Sequence, residues 1–171
     1  EENKKGVVHP KLDHCLLGTL LSEAVEDVGA LAGEKFGVSP EMELDLKNGV
    51  ELTPLLCSPS YLHFMMVELL KNSVRAVMEK YGVLEVEDLE TAPVRIRARL
   101  SDKHHIVLEI IDDGIGMNPL ALERAQHAFY TTVEQPKDPT YTYSRDFGVP
   151  FAGAGFDTIR ASTYAAIHGG F

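Results

Sequence analysis

Hydrophobic residues recur along this chain with two different periods, and each change of period marks a new element. Between Lys11 and Phe36, the residues Leu12, Leu16, Leu20, Ala24, Val28 and Leu31 follow at steps of three and four, the spacing of one helix face. The pattern predicts one long helix ended by Gly37, weakened locally by Gly18 and Gly29. Ser39-Pro40 turns the chain. Met42, Leu44 and Leu46 then alternate with Glu41, Glu43 and Asp45, which predicts a half-buried strand. Asn48-Gly49 is a strong hairpin signal, so a second short strand, residues 50–55, is expected to return along the first.

The helical period resumes from Ser58 to Tyr81. Ser58 followed by Pro59 is a start signal, and Tyr81-Gly82 supplies the stop. Leu62, Met65, Met66, Leu69, Ser73, Ala76 and Val77 form the stripe expected to face inward. After an acidic connection, Val94, Ile96, Ala98 and Leu100 alternate with Arg95, Arg97 and Arg99, a strand with one basic, solvated face. Ser101-Asp102-Lys103 makes a turn, and 105–111 is the next strand. His104 and His105 point to opposite sides of a strand and are not expected to share a metal. That strand ends in Asp112-Asp113-Gly114-Ile115-Gly116-Met117, and Asn118-Pro119 starts a further helix. Residues 129–150 read as a loop whose length calls for a functional explanation. Ala152-Gly153-Ala154-Gly155-Phe156 opens a last helix through Ile167. The order predicts an α/β sandwich, a mixed, mostly antiparallel sheet covered on one face by helices.

Composition narrows the function. The 171 residues predict one domain, or one domain with an appendage, and 44% hydrophobic content suits a packed core. A formal charge of -10 argues against general nucleic-acid binding. It leaves room for ATP, whose phosphates are held locally by backbone amides and a cation. No apolar run approaches membrane-spanning length, and these residues carry no signal peptide or Arg-rich transit pattern. Cys15 and Cys57 have no metal or redox spacing and read as ordinary thiols of a reducing compartment, a disulfide being the lesser alternative.

Candidate chemistry starts on the Ser58–Tyr81 helix. Phe64, Glu68, Asn72 and Arg75 lie along one line of it, beside the inward stripe. A carboxylate there can accept a proton, a carboxamide oxygen one turn on can ligate a hard cation such as Mg2+, and a guanidinium can meet phosphate oxygens. The turn Asp112-x-Gly114-x-Gly116 allows a flat ligand close to the backbone, and Asp112 can accept from an exocyclic amine. Gly153-x-Gly155 precedes a helix whose first amides can hold phosphate. Each of the two glycine motifs alone is more readily a plain turn; together with Glu68–Asn72 they occur here in order, with a long loop between them.

In that arrangement the sequence resembles the GHKL ATPase superfamily of gyrase, Hsp90, histidine kinase and MutL type. Glu68-x-x-x-Asn72 looks like its N box, Asp112 to Met117 its first glycine box, and Gly153-Ala154-Gly155 its second. The run Glu68 to Lys80, together with Phe129 to Glu134 and Ser39-Pro40-Glu41, is similar to the mitochondrial 2-oxoacid dehydrogenase kinases. Glu68-Leu69-Leu70-Lys71-Asn72 and Phe129-Tyr130-Thr131-Thr132 look slightly closer to the branched-chain member than to the pyruvate members. The resemblance implies a Bergerat-type ATP-binding domain over 1–171, incomplete at both ends, with an ATP-lid-like loop at 129–152. It implies a protein serine kinase acting on the E1 subunit of a 2-oxoacid dehydrogenase complex in the mitochondrial matrix. Glu68 would be the general base. Asn72 would ligate Mg2+, and Lys71 and Arg75 would lie near the phosphates. Asp112 would hold the adenine amine in a pocket shaped by Gly114, Gly116 and Met117. Thr131 and Thr132 would lie near the nucleotide or begin the lid, and Gly153 and Gly155 would wrap the phosphates. The family further implies K+ dependence, a homodimer, and docking to lipoyl-bearing E2 through an N-terminal domain absent from this sequence.

Four departures stand against that pattern. Asp157 occupies the place of a third glycine, Phe64 that of a histidine in the pyruvate branch, and Asp113 that of an arginine. The chain also stops at Phe171, before two further strands of the family domain. Two other readings therefore stand beside the kinase: a GHKL ATPase or histidine kinase domain, and a regulatory nucleotide-binding module with little phosphotransfer.

Overall fold

The computed structural model describes residues 12–47, 49–82, 89, 91–101 and 105–120. Their order is β1 (Asp13–Leu16), α1 (Leu17–Phe36), β2 (Met42–Leu46), a 3-10 turn (Val50–Leu52), β3 (Pro54–Cys57), α2 (Pro59–Tyr81), β4 (Val94–Leu100) and β5 (Ile106–Ile111).

The long helix expected from Lys11 is corrected at its start, because residues 13–16 form a strand. β1 pairs antiparallel with β3, Cys15 opposite Leu55 and His14 opposite Leu56. Leu12 and Leu16, assigned to the buried stripe, are exposed, and so is Leu31. From Leu17 on, the helix holds, with Leu17, Leu20, Leu21, Ala24, Val28 and Ala32 buried. Gly37 ends it in the left-handed conformation, its N–H donating to Gly33 O at 2.9 Å. Gly18 has a positive role in packing. A Cβ there would stand 2.9 Å from the Glu51 Cβ, so only a glycine lets the first turn of α1 lie against the 3-10 turn.

The expected hairpin is also absent. Gly49 takes the positive φ of a turn residue, 72°, but the chain runs on into the 3-10 turn with Val50 buried, and β3 leaves to join β1. β2 pairs in parallel with β4, from Met42 opposite Val94 to Leu46 opposite Ala98. A parallel pair needs a crossover, and α2 lies within it. β5 returns antiparallel to β4, which gives a three-stranded mixed sheet of order β2-β4-β5.

β4 alternates as the sequence predicts from Val94 to Arg99, whereas Leu100, expected inward, is exposed. Val94, Ile96 and Ala98 point into a core shared with α1 and α2, where Leu21, Leu70 and Val74 are fully or almost fully buried. On the outer face Arg95 Nε reaches Glu43 Oε2 at 2.9 Å, and Arg97 Nε reaches Asp45 Oδ2 at 3.6 Å. These are directly opposed positions of β2 and β4, so the basic face is partly matched by its own neighbouring strand. The architecture is an α/β sandwich with helices over one sheet face. Cys15 and Cys57 are both free thiols, their sulfurs 3.4 Å apart across the β1–β3 ribbon.

Candidate functional site

α2 begins and ends where its sequence dictates. Ser58 has extended backbone and accepts the first helical N–H, that of Leu62, at 3.0 Å through its carbonyl oxygen; its side chain makes no capping hydrogen bond. Pro59 occupies the first turn, and Gly82, with φ 74°, donates to Met78 O at 2.9 Å. The buried face is turned from the expected one. Met66, Leu70, Ser73, Val74, Val77 and Met78 are buried, whereas Met65, Leu69 and Ala76 are only half-buried. Eleven of the sixteen positions from Leu62 to Val77 are apolar or small, so periodicity alone does not single out one stripe.

The turned face carries Glu68 inward to 8% exposure. A carboxylate that deep needs a cation or several donors, and Lys71 Nζ lies 2.8 Å from Glu68 Oε1, one helical turn on. Asn72 is half-buried at the next position. Arg75 Nε donates to Glu79 Oε1 at 2.6 Å along the same helix. Upstream, His63 looks away from this row toward α1, with Nε2 3.1 Å from Asp27 Oδ2. His63 and Phe64 line a groove of about 390 Å³ with Asp27, Ala30, Leu31 and Val67.

The glycine turn after β5 meets α2 directly. Ile115 N donates to Ala76 O at 3.2 Å. A Cβ on Gly114 would fall 2.5 Å from the Ala76 Cβ and 2.7 Å from its carbonyl carbon, so this glycine serves the approach of the turn to the helix. Gly116 has φ 66°, a conformation that favours glycine. Asp112 Oδ1 accepts from Gly114 N at 3.0 Å, which closes the turn. Met117 and Ile115 stand exposed beside it.

Asp113 continues the contact. Tyr81 Oη donates to Asp113 Oδ2 at 2.7 Å. Lys80 Nζ donates to the Asp113 carbonyl at 2.8 Å and stands 3.1 Å from Oδ1. The Tyr81 hydroxyl first, and Lys80 second, hold the Asp113 carboxyl below its ordinary range, while Tyr81 first, and Asp113 second, raise the Lys80 ammonium. Read from sequence alone, Tyr81 has no role beyond ending the helix. The signal that could have found this contact is the carboxylate at position 113, where the resembled family has an arginine.

The structure thus brings Glu68, Lys71, Asn72 and Arg75 onto one helix and seats Asp112, Gly114, Gly116 and Met117 at its far end. Thr131, Thr132, Gly153, Gly155, Asp157 and the expected lid at 129–152 lie outside the described residues. Along the helix axis, Glu68 and Ala76 are about 12 Å apart at 1.5 Å per residue. A buried carboxylate at one end, a carboxamide and two cationic side chains beyond it, and an open glycine turn at the other suit an elongated polyanion with a flat head. Among the described residues no three acids, histidines or cysteines cluster to hold a metal. A cation here would take a protein ligand or two and complete its shell with water or phosphate oxygens, the habit of Mg2+. Among the described residues no helix is long and apolar enough to cross a membrane.

Residues 57–165 match the family model described as histidine kinase-, DNA gyrase B-, and HSP90-like ATPase. A probable pyruvate dehydrogenase (acetyl-transferring) kinase, mitochondrial, of Caenorhabditis elegans is 30% identical over 155 residues, 88% of this chain and 36% of that protein. The Arabidopsis thaliana pyruvate dehydrogenase kinase is 28% identical over 96% of this chain and 43% of its own length. The Drosophila melanogaster kinase is 29% identical over 88% of this chain and 36% of its own. The chain therefore spans well under half the length of these relatives.

Proposed function

The chain belongs to the histidine kinase-, DNA gyrase B- and HSP90-like ATPase family, and from that premise we propose that it is the ATP-binding catalytic domain of a protein serine kinase whose substrate is the E1 subunit of a 2-oxoacid dehydrogenase complex. The observation that carries the reading is the placing of Glu68, buried and paired with Lys71, on the helix whose far end receives the Asp112 glycine turn. The relatives' names supply the substrate class.

In this reading Glu68 takes the proton of the substrate serine hydroxyl. Lys71 opposes that step while it remains paired with the carboxylate, so transfer of the Lys71 ammonium to a phosphate oxygen would release the base. Asn72 offers its amide oxygen to Mg2+, which when bound neutralises phosphate charge. Arg75 meets phosphate oxygens, and Asp112 accepts from the adenine amine in the turn shaped by Gly114, Gly116 and Met117. Gly153 and Gly155 would wrap the phosphates, and Thr131 and Thr132 would lie near the nucleotide or begin the lid. A mitochondrial matrix location, a homodimer, docking to lipoyl-bearing E2 and a bound K+ belong to the same proposal.

The test has two stages. Calorimetric titration of this chain with ADP, with and without Mg2+, should show metal-enhanced binding; no binding at millimolar nucleotide would remove the ATP site. In the complete kinase, Glu68→Gln should abolish phosphotransfer to E1 while nucleotide binding survives. Undiminished transfer in that variant would remove the role of Glu68 as base.

A further inference from the structure

The geometry points to Asp113, held by Tyr81 and Lys80, as the positioning residue of the adenine side of the site. This inference rests on the nucleotide reading above and adds to it the device that fixes Asp112 in place.

β5 ends at Ile111, and among the described residues the turn that follows pairs with no strand. Its path is set by α2. At its middle, Gly114 and Ile115 rest on Ala76. At its start, the Asp113 carboxylate takes the Tyr81 hydroxyl on one oxygen and Lys80 on the other, while Lys80 also donates to the Asp113 carbonyl. Asp112 is the neighbour of that clamped residue, and its own Oδ1 is engaged by Gly114 N within the turn. Releasing Asp113 leaves the backbone between Ile111 and Gly114 without its anchor to the helix. The direction of the Asp112 carboxylate would then vary.

The latch is local in what it can affect. Lys80 lies about 18 Å along the helix from Glu68 at 1.5 Å per residue, so it does not reach the phosphate side of the site. It is also solvent-exposed, and exposed ion pairs contribute little to global stability. Its loss should therefore weaken recognition of the base and leave the fold and the phosphate contacts as they were. The arginine of the resembled family could not serve here, because a cation at position 113 would face Lys80.

The experiment is calorimetric titration of the chain and of Asp113→Ala and Tyr81→Phe with two probes, ADP and inorganic tripolyphosphate, both with Mg2+. Each variant should bind ADP about three- to tenfold more weakly, the worth of one or two modest hydrogen bonds. Tripolyphosphate affinity and Tm should stay unchanged. The double variant should be no weaker than Asp113→Ala alone, because both changes remove the same contact. Asp113→Asn, which keeps an acceptor for Tyr81, should recover part of the loss. ADP affinity unchanged in both variants would overturn the assignment, and so would equal weakening toward both probes, which marks a merely structural role. A wild-type chain that binds neither probe would instead remove the nucleotide reading, and the latch with it; the wild-type titration tells the two failures apart.

Discussion

Gly114 lies so close to Ala76 that a Cβ at position 114 would stand 2.5 Å from the Ala76 Cβ. The first glycine of the turn is thus a packing residue, whatever the turn binds. Gly114→Ala should lower stability by about 1–3 kcal/mol, the usual cost of overpacking. Ala76→Gly should rescue it only in part, because the Ala76 carbonyl carbon and oxygen would still lie 2.7 and 2.9 Å from the added methyl. Urea denaturation of the two single variants and the double variant measures this, and full rescue would show that the helix backbone gives way.

Glu68 and Lys71 should behave as a coupled pair. Lys71→Met removes the cation 2.8 Å from a carboxylate that is 8% exposed, and should cost about 1–3 kcal/mol. Adding Glu68→Gln to Lys71→Met should restore part of that, since a neutral amide has no charge to leave buried. A double-mutant cycle in urea is the measurement, and strict additivity would mean that the pair contributes nothing as a pair.

Cys57 should resist alkylation near neutral pH. Burial first, then the hydrogen bond with Cys15 at 3.4 Å, pushes its thiol up from 9.0 to about 12. The folded chain holds that proton more tightly than the unfolded chain does. The stabilisation is therefore complete below pH 9 and is lost as pH rises toward 12. Iodoacetamide labelling followed by mass spectrometry should show Cys57 reacting faster with each step in pH. The urea midpoint of the parent should fall more steeply above pH 9 than that of Cys57→Ala; parallel curves would contradict the shift.

The two faces of the structure should answer mutation differently. Leu70→Ala, at a fully buried position of α2, should cost about 2–5 kcal/mol. Arg97→Ala removes an exposed ion pair to Asp45 at 3.6 Å and should cost no more than about 1 kcal/mol. Comparable losses in the two variants would mean that the outer face of the sheet is covered by something in solution.

The features legible in the sequence are those with a local cause. Ser58-Pro59 and Gly82 bound α2 because a residue's own backbone preferences start and stop a helix. The alternation from Val94 to Leu100 identified β4 because burial on one face imposes period two. Glu68, Lys71 and Asn72 could be placed on a common helix because i, i+3 and i+4 neighbours share a surface. The family match over residues 57–165 begins just before that helix.

Tertiary structure decided what depends on a distant partner. Residues 13–16 fit a helical stripe, yet they form β1 because Pro54–Cys57 offers an antiparallel edge. Asn48-Gly49 gives a turn backbone at Gly49, but a turn does not choose which strand pairs with which, and β2 found its neighbour in β4 beyond α2. The inward face of α2 was set by packing on α1 and the sheet, which buried Glu68 rather than leaving it at a solvated margin. The same packing joined Asp113 to Tyr81 and Lys80 across more than thirty positions of sequence. Dihedral preference and side-chain period act over a few residues and can be read from the chain. Strand partners, the buried side of a helix with apolar residues on more than one face and the contacts of a loop follow from which surfaces exclude water together, and no single segment carries that information.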